Sequence, residues 1–181
     1  MKILQKYNPK NILHIGGHYG EEGEEYTEMG ADFTFVEPVQ EFAQVIKDKG
    51  YKCLEIAVGT SEGEFYVDRG LSSFLKLNAE KSFTRTINRV EHIKAVPLSE
   101  IEKGFDTLVI DTEGTIMEVL KSGTLEDAKT IMCELRKDIL FIGEEPQEEV
   151  EKYLLTKGFI KTEEYPLFDD PNAYDVYFKR I

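Results

Sequence analysis

A group of glycines stands directly after the first apolar run of the sequence. Residues 11–23 read NILHIGGHYGEEG, so a strand-like segment ends at Gly16, Gly17 and Gly20. Glycine has no Cβ and readily adopts positive φ, so a turn of this kind lets the backbone approach a ligand closely. The turn is followed by four acidic residues, Glu21, Glu22, Glu24 and Glu25. Their charges predict a ligand that carries no phosphate at this point.

Three classes of ligand can be compared with this turn. A nucleoside triphosphate would need the GxxxxGK[ST] pattern, but Glu21 stands where that pattern has its second glycine, and no lysine is near. A dinucleotide would want GxGxxG, which the turn lacks, and the nearby acids would repel its pyrophosphate. S-adenosylmethionine has no phosphate and carries a sulfonium cation, and Glu37 after the second strand can accept its ribose hydroxyls. The turn therefore favours S-adenosylmethionine, although a tight strand–helix connection alone would also explain the glycines.

Three carboxylates are predicted to meet near the glycine turn. Asp111 and Glu113 follow one apolar run and Glu134 ends the next, and the carboxyl ends of parallel strands lie at one edge of a sheet. Methyl transfer needs an acceptor oxygen that is aligned and loses its proton, and a carboxylate with a raised pKa can take that proton. We therefore predict these three acids as catalytic residues. Two alternatives stay open: Glu113 caps the next helix while Asp111 holds the cofactor, or the acids share a Mg²⁺ ion, which we do not expect.

Other polar residues are weaker candidates for the same site. His18 lies on the glycine turn and is predicted to contact the cofactor, whereas His14 lies within a strand and is predicted to be a hydrogen-bonded core group. His92 is an outside candidate for the general base. Candidates for acceptor contacts are Ser72, Ser73, Asp169 and Asp170. Residues 81–90 carry Lys81, Arg85 and Arg89 at four-residue spacing. We predict that these side chains form a solvated surface, and the alternative is an anion-binding patch.

Strand-like and helix-like segments alternate along most of the chain. Short apolar runs predict strands at 11–17, 33–38, 52–59, 92–101, 105–114 and 128–135. Helical periodicity predicts helices at 21–29, 39–49, near 116–120 and at 144–158. This alternation predicts an α/β fold in which helices cover both faces of a mostly parallel sheet. No helical pattern separates the last two runs, 159–165 and 173–181, so they should be antiparallel neighbours.

Composition excludes several other classes of protein. The 181 residues, of which 41% are hydrophobic, suit one domain, residues 1–181, with its own core. The net charge of −13 and the lack of a basic stripe predict that the chain binds no nucleic acid. No apolar run approaches the ~20 residues that span a bilayer, and the first residues do not resemble a signal peptide, so we expect no membrane partner. Cys53 and Cys133 are predicted to be free thiols of a cytoplasmic protein.

Several motifs of the sequence resemble those of the FkbM-type methyltransferases. ILHIGGHYGEE, FVEP, IAVGTSEGEF, VPLSEI and LVIDTEGTIMEVLKSG occur in the family's order, and the last is the most specific. The resemblance implies a Rossmann-like class I methyltransferase fold, with a seven-stranded sheet whose last strand is antiparallel. It also implies methyl transfer from S-adenosylmethionine to a hydroxyl of a sugar or other small metabolite. The predicted cofactor-binding residues are Gly16, Gly17, His18, Tyr19, Gly20, Glu37, Pro38, Ala57, Val58 and Asp111.

The sequence departs from the family pattern at three positions. The family usually has Asp at the position of His14 and Glu at the position of Ile116, and it often has Gly at the position of Ser122. Without the Asp, the ammonium group of the cofactor must be recognised in another way. These differences leave a second function open, a catalytically inactive module that binds S-adenosylmethionine for assembly or regulation. Few residues precede the first predicted strand, so we expect either an open site or a second copy that covers it in a homodimer.

Overall fold

The computed structural model describes residues 3–68, 70–78, 87–101, 103–167, 170 and 172–181. Two short 3-10 helices cover Leu4–Tyr7 and Leu98–Glu100. The strands are β1 (Asn11–Ile15), β2 (Asp32–Val36), β3 (Cys53–Leu54), β4 (Glu62–Val67), β5 (Arg89–Lys94), β6 (Thr107–Ile110), β7 (Thr130–Arg136), β8 (Phe159–Pro166) and β9 (Ala173–Arg180). The helices are α1 (Gly23–Glu28), α2 (Gln40–Asp48), α3 (Ile116–Lys121) and α4 (Gln147–Thr156).

Seven strands form one sheet in the order β3-β2-β1-β6-β7-β9-β8. The strands from β3 to β7 in this order pair in parallel, whereas β9 is antiparallel to both of its neighbours. The predicted Rossmann-like fold, with its antiparallel last strand, is therefore confirmed. Strand order reverses at β1, which has β2 on one side and β6 on the other. Open α/β sheets bind their ligands at such a reversal, beyond the carboxyl ends of the strands.

Different helices cover the two faces of the sheet. Tyr26 of α1 and Ile46 of α2 pack against one face, in a cluster that includes Phe35 of β2. Val119 of α3 and Leu154 of α4 pack against the other face. Strands β1 and β6 are buried almost throughout, which explains why their sequences are continuous apolar runs rather than alternating ones.

The third and sixth strands are shorter than their apolar runs predicted. Strand β3 has only two residues, Cys53–Leu54, because the chain then leaves the sheet edge and Val58 forms a separate bridge with Val96. Strand β6 ends at Ile110, since the chain turns at Thr112 before the next helix. Both runs nevertheless bring their last residues to the carboxyl edge of the sheet.

The strand predicted at 92–101 is shifted and lies outside the main sheet. Its observed range is Arg89–Lys94, and it pairs with β4 in a separate two-stranded antiparallel sheet. Val39 of the segment before α2 packs against Phe65 and Val67 of this small sheet. The buried residues of the run, Ala95, Leu98 and Ile101, follow this strand, and its pairing partner could not be read from its own residues.

Two expectations from composition concern the cysteines and the membrane. Cys53 and Cys133 are both free thiols, as predicted, and Cys133 is buried. In the described ranges, every helix is too short or too polar to cross a bilayer.

Candidate active site

A cavity of about 450 Å³ lies at the carboxyl ends of the central strands. It adjoins the ends of β1, β2, β6 and β7, where the strand order reverses. Sites for small molecules and cofactors commonly have volumes of ~300–1,000 Å³. Among the predicted cofactor-binding and catalytic residues, those that line the cavity are Gly16, His18, Glu37, Pro38, Ala57, Val58, Asp111, Glu113 and Glu134.

Gly16 allows two strands to meet at the edge of this cavity. Its φ is +89°, and a Cβ at this position would lie 1.7 Å from the carbonyl oxygen of Asp111. The N–H groups of Gly16 and Gly17 both donate to the carbonyl of Val36, at 2.9 and 3.0 Å. Glycine is therefore required here by the approach of β6 as well as by the turn itself.

Three other residues of the glycine turn do not line the cavity. A Cβ at Gly17 would meet the ring of Phe35 at 2.8 Å, and one at Gly20 would meet Ile46 at 3.2 Å. These two glycines let the turn pack closely against β2 and α2. Tyr19 also lies off the cavity wall. The predicted contacts of Gly17, Tyr19 and Gly20 with a cofactor therefore stay predictions.

The carboxylate of Glu37 is held in place at the end of β2. Its Oε2 accepts the N–H of His18 at 2.9 Å, and its Oε1 accepts the N–H of Val39 at 2.8 Å. Burial raises the pKa of Glu37 to about 7, although these two hydrogen bonds oppose the shift. A carboxylate offers about four lone-pair sites. Glu37 can thus accept further hydrogen bonds from a ligand in the cavity.

Asp111, Glu113 and Glu134 come together as the sequence predicted. One carboxylate oxygen from each lies within 4.8 Å of the other two. Burial raises the pKa of Asp111 well above its ordinary value, and the charges of Glu134 and Glu113 raise this pKa further. The cluster therefore favours a bound proton or a cation at this edge of the sheet.

Glu113 lies between the end of β6 and the start of helix α3. Helix α3 begins at Ile116, and its N-cap residue Thr115 makes no side-chain cap hydrogen bond. The hydroxyl of Ser73 donates to the backbone carbonyl of Glu113 at 2.6 Å. Glu113 lines the cavity, and the alternative that it caps the next helix stays open.

Arg136 is the main site residue that the sequence analysis missed. Its guanidinium lies 3.9 Å from Glu113 and 3.6 Å from Glu134, and it also pairs with Asp170 from the segment between β8 and β9. Its side chain is only 11% exposed. Residues two apart on a strand share a face, so the spacing of Glu134 and Arg136 was the available signal.

Apolar and aromatic residues form the rest of the cavity wall. Ala57 and Val58 contribute from the loop after β3, and their contact with the adenine stays a prediction. Phe42 of α2, Phe65 of β4 and Phe74 also line the cavity, and the rings of Phe65 and Phe74 meet edge to face with centroids 5.0 Å apart. These aromatic residues were not singled out from the sequence, because their helical and strand positions are equally typical of core residues.

The three histidines have different places in the structure. His14 is buried, and its Nδ1 lies 3.0 Å from the hydroxyl of Tyr26, which matches the predicted core group. Burial lowers the pKa of His14 to about 4, so the ring is neutral at physiological pH. His18 lines the cavity, whereas His92 is exposed on β5 and does not line it.

The remaining candidates are divided between the cavity and the surface. Ser72 and Asp170 line the cavity. Arg89 forms ion pairs with Glu41 and Glu91 on the surface, so it offers no open anion site. Three other candidates lie outside the described residues, namely Lys81, Arg85 and Asp169.

The cavity has groups that suit the ribose and the adenine of S-adenosylmethionine. Glu37 has lone pairs to spare for ribose hydroxyls, and Ala57 and Val58 offer an apolar surface for the adenine. Thr112 lines the same cavity, and its hydroxyl is buried without a partner among the described residues. A buried polar atom of this kind favours a polar ligand, because leaving it unpaired costs ~1–3 kcal/mol. The residues present therefore fit this cofactor.

The sheet topology and a cavity with an acid after β2 and another after β6 define a class I methyltransferase. A family model for the methyltransferase FkbM domain matches residues 14–161. The chain belongs to the FkbM methyltransferase family, and it is an S-adenosylmethionine-dependent methyltransferase by family and fold. A search of curated proteins finds no match to the sequence.

Solved structures with this fold act on varied acceptors. Magnesium protoporphyrin IX methyltransferase from Synechocystis PCC 6803, with bound SAM, has 7% identity and a TM-score of 0.60 over 99% of this chain and 74% of that one. The ribosomal protein L11 methylase from Lactobacillus delbrueckii subsp. bulgaricus has 10% identity and a TM-score of 0.55, over 98% and 77%. The 1,6-didemethyltoxoflavin-N1-methyltransferase from Burkholderia thailandensis has 13% identity and a TM-score of 0.53, over 98% and 73%. At these identities the likeness shows the fold and not the acceptor.

Proposed function

We propose that this chain methylates a hydroxyl oxygen of a small, uncharged metabolite such as a sugar. The observation that carries the proposal is the group of carboxylates beside the predicted cofactor site. Asp111, Glu113 and Glu134 lie at the cavity edge with oxygens within 4.8 Å of one another. Carboxylates accept hydrogen bonds from sugar hydroxyls and can also remove a proton from one of them.

Each residue of the site has a separate role in this proposal. Bound S-adenosylmethionine supplies the methyl group on a good leaving group. Glu37 accepts the ribose hydroxyls, and Ala57 and Val58 contact the adenine. Asp111 lies nearest the methionine part. Glu113 is the general base, which takes the proton from the acceptor hydroxyl at its carboxylate oxygen.

The charge cluster combines a carboxyl that holds a proton with carboxylates that can accept hydrogen bonds. Burial raises the pKa of Asp111 well above its ordinary value, so Asp111 holds a proton more readily than an exposed carboxyl. Glu113 and Glu134 lie within 4 Å of the guanidinium of Arg136, which favours their charged forms. One carboxyl can therefore donate a hydrogen bond while its neighbours accept, as orientation of an acceptor hydroxyl requires.

The same cluster disfavours acceptors that carry phosphate. Among the described residues that line the cavity, Arg136 is the single lysine or arginine. Its guanidinium is already engaged by Glu113, Glu134 and Asp170. A phosphate at this point would lie beside negatively charged carboxylates with no further cation to pair with it, so it would be repelled. This supports a small neutral acceptor rather than a nucleic acid, in agreement with the net charge of −13.

The test replaces Glu113 by Gln and measures two quantities. Single-turnover methyl transfer, followed with a panel of sugars as acceptors, should slow by ~10²–10⁴, the usual contribution of a positioned general base. Affinity for S-adenosylmethionine should stay nearly unchanged. The matched variant Asp111→Asn should lower both quantities, since Asp111 is placed nearer the cofactor. Methyl transfer by Glu113→Gln at the wild-type rate would show that Glu113 is not the base.

A second candidate function is a catalytically inactive module that binds the cofactor. It is favoured by His14, a buried and neutral ring at a position where the family usually has Asp. Binding of S-adenosylmethionine without turnover of any acceptor would support this candidate. A cytoplasmic location and a homodimer stay predictions in both cases.

A further inference from the structure

The carboxylate of Glu118 on helix α3 binds Thr60 and Ser61, in the loop that follows Ala57 and Val58. Oε1 of Glu118 accepts the backbone N–H of Thr60 at 2.6 Å and also the N–H of Ser61. The hydroxyl of Ser61 donates to Oε2 at 2.8 Å, and that of Thr60 donates to Oε1 at 3.3 Å. Hydrogen bonds to a charged acceptor are stronger than neutral ones, and four of them converge here. Glu118 thus ties helix α3 to a loop nearly 60 residues earlier in the chain, at separations of 57 and 58 residues.

The loop is shaped to admit this carboxylate. Gly59 has a φ of +146°, and a Cβ there would lie only 2.7 Å from Oε1 of Glu118. On its other side the loop is held by Val96, which accepts the N–H of Gly59 at 3.0 Å and donates its own N–H to Ala57 at 2.8 Å. Glycine is the residue that permits both the backbone angle and the close contact.

The two segments that Glu118 joins both line the cavity. Ala57 and Val58 stand immediately before the clamped loop and form the apolar wall. Helix α3 follows directly on the segment that carries Asp111 and Glu113. Glu118 itself does not line the cavity. Its effect on a bound molecule would therefore be exerted through the residues that it holds.

We propose that Glu118 is a positioning residue for S-adenosylmethionine. It holds Ala57 and Val58 at the distance from the Asp111 segment that the cofactor needs, without touching the cofactor. The proposal rests on the cofactor placement given under the proposed function. A site whose walls are fixed before binding loses less free energy to ordering when the ligand arrives. Removal of the clamp should therefore weaken cofactor binding more than it weakens the fold.

The test measures binding of S-adenosylhomocysteine by calorimetry, with no acceptor present. Glu118→Gln keeps the size of the side chain but removes its charge and replaces one of its two acceptor oxygens by a donor, which weakens the hydrogen bonds to the loop, so the dissociation constant should rise about tenfold. Ser61→Ala removes one of the four hydrogen bonds and should raise it about threefold, and this milder variant serves if Glu118→Gln fails to fold. The control Val150→Ala removes core contacts of α4 and none of the hydrogen bonds that hold the loop. It should lower the melting temperature and leave the dissociation constant unchanged.

The outcomes separate this proposal from the proposed function. If the wild type does not bind S-adenosylhomocysteine, both proposals are wrong. If the wild type binds and folded Glu118→Gln or Ser61→Ala binds equally well, only the positioning role is wrong. A rise in the dissociation constant for Val150→Ala as large as that for the Glu118 or Ser61 variant would show a general effect of stability and would also overturn the proposal.

Discussion

Replacement of Arg136 by Met should destabilise the fold strongly, because three carboxylates lose their shared cation. The side chains of Arg136, Glu113, Glu134 and Asp170 are 11%, 14%, 16% and 14% exposed, so water screens the unpaired charges weakly. Removing one partner from a buried ion pair costs ~3–5 kcal/mol. Met replaces most of the Arg stem, so little of the loss comes from a cavity. In a domain of this size the change corresponds to a fall in Tm of roughly 6–20 °C.

The loss caused by Arg136→Met should grow as the pH rises. Burial raises the pKa of Asp111, and the charges of Glu134 and Glu113 raise it further. Without the guanidinium, mutual repulsion raises the pKa values of the whole cluster in the folded state. A group whose pKa is higher when folded than when unfolded loses stability as the pH rises through its folded value. The variant should therefore be closest to the wild type near pH ~5 and furthest from it near pH ~8.

Urea unfolding at both pH values measures this difference, with Arg89→Met as the control. Arg89 also pairs with two carboxylates, but it is 38% exposed and its partners Glu41 and Glu91 are 61% and 33% exposed. Exposed ion pairs contribute ~0–1 kcal/mol, so the control should change stability little. A loss below ~1 kcal/mol for Arg136→Met at the higher pH, or a loss that is larger in acid, would refute the reasoning.

Three further predictions concern the cofactor end of the site. Burial raises the pKa of Glu37 to about 7, so the wild type should bind S-adenosylhomocysteine more tightly as the pH rises through this value. Glu37→Gln should bind ~1–3 kcal/mol more weakly and should lack this pH dependence. An equal pH dependence of binding in both proteins would contradict this prediction. Gly16→Ala would place a Cβ 1.7 Å from the carbonyl oxygen of Asp111 and should unfold the protein or lower its free energy of unfolding by over ~4 kcal/mol. The control Gly50→Ala has a similar φ and nothing within 4 Å, so it should lower this free energy by ~1–2 kcal/mol in denaturant titrations. Similar losses for the two variants would contradict the close contact at Gly16. A chelator should leave the Tm and the cofactor affinity unchanged, because Arg136 already supplies a cation to the acids, and restoration of either by added Mg²⁺ would show a metal site instead.

The sequence by itself determined the fold class and the cofactor edge of the site. Strands buried on both faces must be continuous apolar runs, and the polar residue that ends such a run marks the carboxyl edge of the sheet. Gly16, Glu37 and Asp111 each end a run of this kind, so their meeting followed from the parallel arrangement alone. The absence of a helical pattern between the last two runs likewise indicated the antiparallel β9.

Only the tertiary structure decided which distant side chains pair with one another. Arg136 pairs with Asp170, 34 residues away, and Glu118 binds Ser61, 57 residues away. By residue type alone, many other charged or polar residues of the chain could have been the partners of Arg136 and Glu118, because surface helices and loops carry such residues as well. Periodicity reports which face of an element is buried, because burial acts on each residue locally. The pairing of two distant side chains depends on how the elements pack, and no local pattern in either segment records it.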